Sequence, residues 1–280
     1  MKIQENVQLA PLTSFDVGGP AENLLTIESS HELAQALTHA SGHETWMLGY
    51  GTNVLISDQG LDGYTLLFRN KNIEWQTNTV IVDAGVWWDD LVQQAIQRGF
   101  WGLELMSGVP GSVGAAIFIN ITAYGQSLSD KLVWVDYMDK NGRTERLDAR
   151  SQSWGYKQSV FQQHQDWFIV KAAFELDTEN RVELAYQSAL DVAKDLNLST
   201  DNLTNRRQII LEARDRAGSI FVPGQNYAKT VGSFFRNPMV TPAQAEEVAK
   251  FDETGKTKQQ ISQHGSCLLF PEYHRLPNPK

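Results

Sequence analysis

The residues best suited to chemistry concentrate in one stretch, 107–125, which reads SGVPGSVGAAIFINITAYG. It sets Gly108, Pro110, Gly111, Gly114 and Gly125 among small apolar residues, with Asn120, Thr122 and Tyr124 as polar marks. So little side-chain bulk makes a poor core element, but it opens backbone N–H groups to an anion such as a pyrophosphate. A buried structural turn accounts equally for one or two of the glycines, so this loop alone does not decide. A second Gly-rich turn, Gly49-Tyr50-Gly51-Thr52-Asn53, lies between the apolar runs 46–48 and 54–56. That pattern reads as strand, turn, strand. A Rossmann fingerprint needs strand, turn and helix with a third glycine, so that fold is set aside.

Around these loops the chain reads as alternating strands and helices. Ser29 or Ser30 caps a helix with Leu33, Ala36, Leu37 and Ala40 on its inner face. Residues 64–68 and 79–84 read as a β-meander, 87–96 as a helix ended by Gly99, and 132–138 as a strand. Asn141-Gly142 marks a hairpin turn, and 168–174 is a further strand. Residues 185–196 and 206–217 read as helices across an Asn-rich connection, and Thr241-Pro242 opens another. The segment from His264, with three prolines and no period, reads as an irregular tail left by a truncation or a change of reading frame.

Composition narrows the class. The chain has 280 residues, 41% hydrophobic and 20% charged, which suits a globular α/β or α+β protein. A net charge of −9 argues against nucleic acid. No run approaches the length of a membrane span, and the N-terminus lacks the basic-then-apolar order of a secretory signal, so a soluble cytoplasmic protein is expected. Cys267 is the single cysteine, which excludes an internal disulfide and a Cys-based metal cluster, and no metal is expected.

Taken in order, these motifs resemble the UDP-N-acetylenolpyruvoylglucosamine reductase family of peptidoglycan synthesis. Thr13-Ser14-Phe15 with Val17-Gly18-Gly19-Pro20-Ala21 is similar to its T-x-F-x-V-G-G-x-A signature, and residues 48–55 to its L-G-x-G-S-N-V-L loop. Residues 107–125 resemble S-G-I-P-G-x-V-G-x-x-x-x-Q-N-I-G-A-Y-G, with Ile119 for Gln and Thr122 for Gly. Residues 155–161 resemble G-Y-R-x-S-x-F, and 232–238 resemble G-S-F-F-K-N-P with Arg236 for Lys. The resemblance implies an α+β fold. A two-lobed FAD-binding domain of the vanillyl-alcohol-oxidase type is expected over 1–176, and a shortened substrate-binding domain over 177–263, before the tail 264–280. It implies FAD as cofactor, NADPH as reductant and a UDP-sugar enolpyruvyl ether as substrate, with the protein acting as a monomer, free of nucleic acid and membrane.

The same resemblance implies site roles. Gly49, Tyr50, Gly51, Thr52, Asn53, Val54 and Leu55 would cradle the FAD pyrophosphate together with Ser107, Gly108, Val109, Pro110, Gly111, Ser112, Gly114 and Ala115, and Asn120 would belong to the same cofactor site. Tyr124 would lie near flavin and substrate. Ser233 would donate the proton, and Lys157, in the family's Arg position, would stabilise the enolate with a weaker, unforked cation. Tyr156, Tyr186, Arg214, Arg236 and Asn237 would face substrate. No acid, Glu272 included, stands in the motif of the family's late Glu. Three readings follow: the reductase, another oxidoreductase on the same FAD fold, and a catalytically impaired FAD- and UDP-sugar-binding remnant. The Ser233 motif and Tyr186 favour the first over the second. The Lys157 replacement and the missing Glu favour the third.

Overall fold

A computed structural model describes residues 1–222, 224–225, 229–234, 239–249, 258–261 and 267–270. The chain divides into two compact units, Met1–Gly232 and Ser233–Lys280. The first unit begins with a four-stranded sheet. Its strands are β1 (Lys2–Gln8), β2 (Pro20–Ile27), β3 (Thr45–Leu48) and β4 (Leu61–Phe68), in the order β1-β2-β4-β3, with helix α1 (Ser30–His39) following β2. β4 runs parallel to both β2 and β3, and its apolar end, LLF, is buried, as expected of a central strand with a parallel neighbour on each side. The Ser29 hydroxyl caps α1 by accepting from the Glu32 N–H, and Leu33, Ala36 and Leu37 face inward.

A second sheet has five antiparallel strands: β5 (Ile73–Gln76), β6 (Thr79–Asp83), β9 (Leu132–Asp139), β10 (Thr144–Asp148) and β11 (Trp167–Glu175), in the order β10-β9-β11-β6-β5. Between β6 and β9 the chain forms α2 (Trp88–Gln97), α3 (Val113–Phe118) and a small hairpin of β7 (Thr122–Ala123) and β8 (Gln126–Ser127). Leu25, Ile27, Leu66 and Phe68 of the first sheet share one core with Val80, Val82, Ala172 and Phe174 of the second. Two further helices, α4 (Gln187–Asp195) and α5 (Leu203–Arg216), pack through Ala189, Val192, Ile209, Ile210 and Ala213 onto Leu105, just ahead of the Gly-rich stretch. They lie beyond the domain boundary expected near Leu176, yet they belong to the first unit.

The second unit holds α6 (Pro242–Ala249) and a three-stranded antiparallel sheet of β12 (Met239–Val240), β13 (Lys258–Ile261) and β14 (Cys267–Phe270), in the order β12-β14-β13. β14 falls inside 264–280, the stretch expected to be irregular. Its CLLF sequence is a short apolar run that pairs with a strand on each side.

Several sequence expectations change. The expected meander does not form: β4 and β6 sit in different sheets, and the hairpin partner of β6 is β5, with its alternating Ile73 and Trp75. Residues 54–56 form no strand, and Leu55 is 63% exposed. The apolar run 46–48 is a strand as expected, but β3 lies at the sheet edge with Trp46 and Met47 exposed. Residues 113–118 are helical because Ser112 caps them and small residues let the helix lie on β6 and β11. α5 starts three residues earlier than expected, since Asn202 in the Asn-rich connection is itself the N-cap. Among the described residues no helix is long and apolar enough to cross a membrane.

Candidate flavin and substrate site

The two Gly-rich loops come together at the end of β3 and the start of α3. Thr52 Oγ1 donates to the Pro110 carbonyl at 3.3 Å, and Ser112 Oγ accepts from the Ala115 N–H at 3.2 Å. Gly51 has φ +62°, and a Cβ there would stand 2.1 Å from the Leu12 carbonyl oxygen, so only glycine brings the loop this close. Among the described residues, the amides of Gly51, Thr52 and Asn53 on one loop, and of Gly111 and Ser112 on the other, make no hydrogen bond. Five unbonded N–H groups on two touching loops are the kind of backbone donor set that binds an anion such as a diphosphate. Other expected contacts are already engaged within the protein. The N–H groups of Ser107, Gly108 and Val109 donate to Glu104, Asp89 and Met106, and Asn53 Nδ2 donates to the Val231 carbonyl at 2.8 Å.

Tyr50 turns away from the cradle. Its hydroxyl donates to the Gly85 carbonyl at 3.2 Å, the Arg69 guanidinium lies 4.4 Å above its ring, and Trp87 meets it edge-on at 4.8 Å. Burial raises its pKa, so the phenol stays protonated.

A second group of expected residues gathers beside the Gly108 end of the stretch. Lys157 sits at φ +54° in the tight turn 155–158. Asn120 fixes this turn: its Nδ2 donates to the Gly155 carbonyl at 2.9 Å, while its Oδ1 accepts from the Ser129 N–H at 3.2 Å. Asn120 therefore acts on the turn that carries Lys157, with both side-chain polar atoms bonded inside the protein. Burial and then the nearby positive charge of Arg214 pull the Lys157 pKa below its ordinary value. Arg214 reaches back from α5, donating through Nε to the Gly108 carbonyl at 3.1 Å and through Nη2 to the Ser219 carbonyl at 2.8 Å. Tyr124 meets Tyr186 edge-on at 5.5 Å, and burial raises its pKa against the opposing pull of Arg214. Lys157, Arg214, Tyr124 and Tyr186 thus form one cationic, aromatic-walled neighbourhood, and half-buried Tyr156 adjoins Lys157 in the same turn.

The family described as FAD binding domain matches residues 21–148. The UDP-N-acetylenolpyruvoylglucosamine reductase of Mycolicibacterium gilvum is 31% identical over 252 residues, covering 88% of this chain and 71% of the relative. Its counterpart in Mycobacterium sp. (strain MCS) is 32% identical, covering 89% of this chain and 71% of that protein. The chain belongs to the UDP-N-acetylenolpyruvoylglucosamine reductase family. The crystal structure of the Thermus caldophilus UDP-N-acetylenolpyruvylglucosamine reductase shares the fold, with a TM-score of 0.62 at 22% identity, over 98% of this chain and 90% of that one. The α+β, FAD-binding architecture expected from the sequence is the one observed. The unbonded amides of the paired loops fit the diphosphate of FAD.

For a member of the reductase family, the remaining expected residues fall as follows. Ser233 is exposed and lies in the second unit, while Arg236, Asn237 and Glu272 lie outside the described residues. Four charged residues that hold the site were not anticipated. Asp89 forms a two-point ion pair with Arg207, both bonds 2.7 Å, and Glu104 pairs with Arg206 at 3.1 Å. The second pair is almost wholly buried, 1% and 2% exposed. Gln126 Nε2 and the Gly102 N–H complete the Glu104 carboxylate, while Arg206 also donates to the Thr200 and Val182 carbonyls. The available signal was compositional: a lone acid, Glu104, inside the apolar run LEL, and an Arg-Arg pair within a helix otherwise lined by Ile209, Ile210 and Ala213.

Proposed function

We propose that the protein is an FAD-dependent, NADPH-driven oxidoreductase that reduces UDP-N-acetylglucosamine enolpyruvate to UDP-N-acetylmuramate in peptidoglycan synthesis. The observation that carries this reading is the adjacency of a backbone cradle fit for a diphosphate and a cluster of Lys157, Arg214, Tyr124 and Tyr186 fit for an anionic, sugar-bearing substrate. Bound FAD supplies a hydride acceptor for NADPH and a hydride donor for the enolpyruvyl carbon.

The chain's own residues do the rest. The amides of residues 51–53 and 111–112 hold the diphosphate from two sides. Lys157 presents a half-buried cation to the carboxylate and enolate oxygens that gain charge when hydride arrives, where low dielectric strengthens the attraction. Arg214 holds an anionic substrate group, and Tyr124, Tyr156 and Tyr186 provide flat walls with hydroxyl groups for the sugar and nucleotide. We assign proton delivery to Ser233 and further substrate contacts to Arg236 and Asn237, on the strength of the G-S-F-F-R-N-P motif. NADPH and the UDP-sugar are its partners, and we take it to act as a cytoplasmic monomer.

The test is optical. Purified protein should carry a flavin absorption band that NADPH bleaches, and the enolpyruvyl sugar should restore the oxidised spectrum as product forms. Bleaching by NADPH without recovery on adding the sugar would leave a flavoprotein of another reaction. Absence of flavin binding would overturn the reading.

A further inference from the structure

Gly108 is a junction between the cradle and α5. Its N–H donates to Asp89 Oδ1 at 2.7 Å, and its carbonyl accepts from Arg214 Nε at 3.1 Å. The same Asp89 carboxylate takes Arg207 Nη1 and Nη2 on its two oxygens at 2.7 Å each. Gly108 has φ +68°, and a Cβ there would stand 2.7 Å from Leu211 Cδ2 and 3.5 Å from Arg214 Nε. Arg207, Leu211 and Arg214 recur on one face of α5, so a single stripe of that helix bears on the backbone of one residue. Arg207 and Asp89 are mostly shielded from water, which keeps their forked bond from being screened away.

We infer that Asp89 is a positioning residue that couples cofactor binding to substrate binding. It fixes the backbone of Gly108 against α5. From Gly108 the chain leads into the Gly111 and Ser112 amides, and the Gly108 carbonyl orients the Arg214 guanidinium. The inference rests on the function proposed above and deepens it. If the backbone of this one residue serves both sites, FAD and the substrate each tighten the binding of the other by the same factor.

The experiment titrates apoprotein with FAD, read by flavin fluorescence, with and without the UDP-sugar enolpyruvyl ether and without NADPH. In the wild type the sugar should tighten FAD binding by about fivefold or more. Asp89→Asn keeps the shape but removes the charge that holds the Arg207 fork, and the factor should fall to near one while FAD still binds. Asp89→Glu should recover part of it. A merely structural role would lower the melting temperature and leave the factor unchanged. A wild-type factor of one, or an undiminished factor in Asp89→Asn, overturns the inference. Should that variant fail to fold, Arg207→Lys, which keeps the charge and loses the fork, carries the same expectation. Failure of the wild type to bind FAD refutes the proposed function along with this coupling, whereas FAD binding with an unaltered factor refutes the coupling alone.

Discussion

The two halves of the site are built from different materials. The cradle at residues 51–53 and 111–112 is backbone, shaped by glycines and by the contact of Thr52 with Pro110. The neighbourhood of Lys157, Arg214, Tyr124 and Tyr186 is side chain, held from behind by ion pairs on α5. A backbone site tolerates side-chain change but not an added Cβ at its tight points. A side-chain site tolerates small shifts of backbone but not loss of charge or of the partners that aim it.

Arg206→Met attacks the support of the side-chain half. It leaves Glu104 buried with no cation, bonded only through the Gln126 amide and the Gly102 N–H. Breaking a buried pair from one side costs about 3–5 kcal/mol, which chemical denaturation will read. The loss should loosen α5, and Arg214 with it. If stability holds, the pair is not what fixes that helix.

Gly51→Ala attacks the backbone half. Alanine at φ +62° is strained, and its Cβ would meet the Leu12 carbonyl oxygen at 2.1 Å. We expect about 2–3 kcal/mol of lost stability and reduced flavin content per chain. A variant that keeps full flavin content would show that the loop can retreat without losing its anion site, which a fixed cradle does not allow.

This contrast also governs what was legible in the sequence. Glycines announce themselves: the loops around Gly51 and Gly111 stood out by composition, and their order along the chain carried the family. The helix periods of α1 and α2 and the Asn-Gly hairpin were legible for the same reason, since each depends on neighbours a few residues apart. What was illegible is long-range. Asp89 meets Arg207 across 118 positions, and Glu104 meets Arg206 across 102. No local pattern encodes such a pair, because the fold alone brings its members together. The assignment of β4 and β6 to one meander failed in the same way, as strand neighbours were inferred from sequence adjacency while the sheets were set by tertiary packing. Nor does local pattern encode the bond of the Asn120 amide to the Gly155 carbonyl, in a turn 35 residues away.

Lys157→Arg tests whether the cation or its titration matters. Burial and the Arg214 charge lower the Lys157 pKa, so its ammonium is lost at a lower pH than that of an ordinary lysine at about 10.4. Activity that needs this cation is present below the lowered value and falls as pH rises through it. Arginine stays charged over that range, so the variant should carry its activity to higher pH, and its fork should suit an enolate at least as well. The pH profile of kcat shows the difference. An unchanged basic limb would mean that Lys157 is not the titrating group, and the side-chain half would lose its electrostatic account.

Tyr50→Phe is the smallest change and the sharpest control on the backbone account. Tyr50 stands in the cradle loop, but its side chain points to Gly85, Arg69 and Trp87 rather than to Thr52 or Ser112. Removing its hydroxyl deletes one bond to a carbonyl, worth about 1 kcal/mol, while phenylalanine keeps the ring beneath Arg69. Stability should drop by that amount, and FAD affinity should stay within about threefold, an energy below the value of one such bond. A large loss of flavin binding would mean that the side chain at position 50 aims the loop. The cradle would then depend on side chains as its neighbour does, and the division between the two halves of the site would no longer hold.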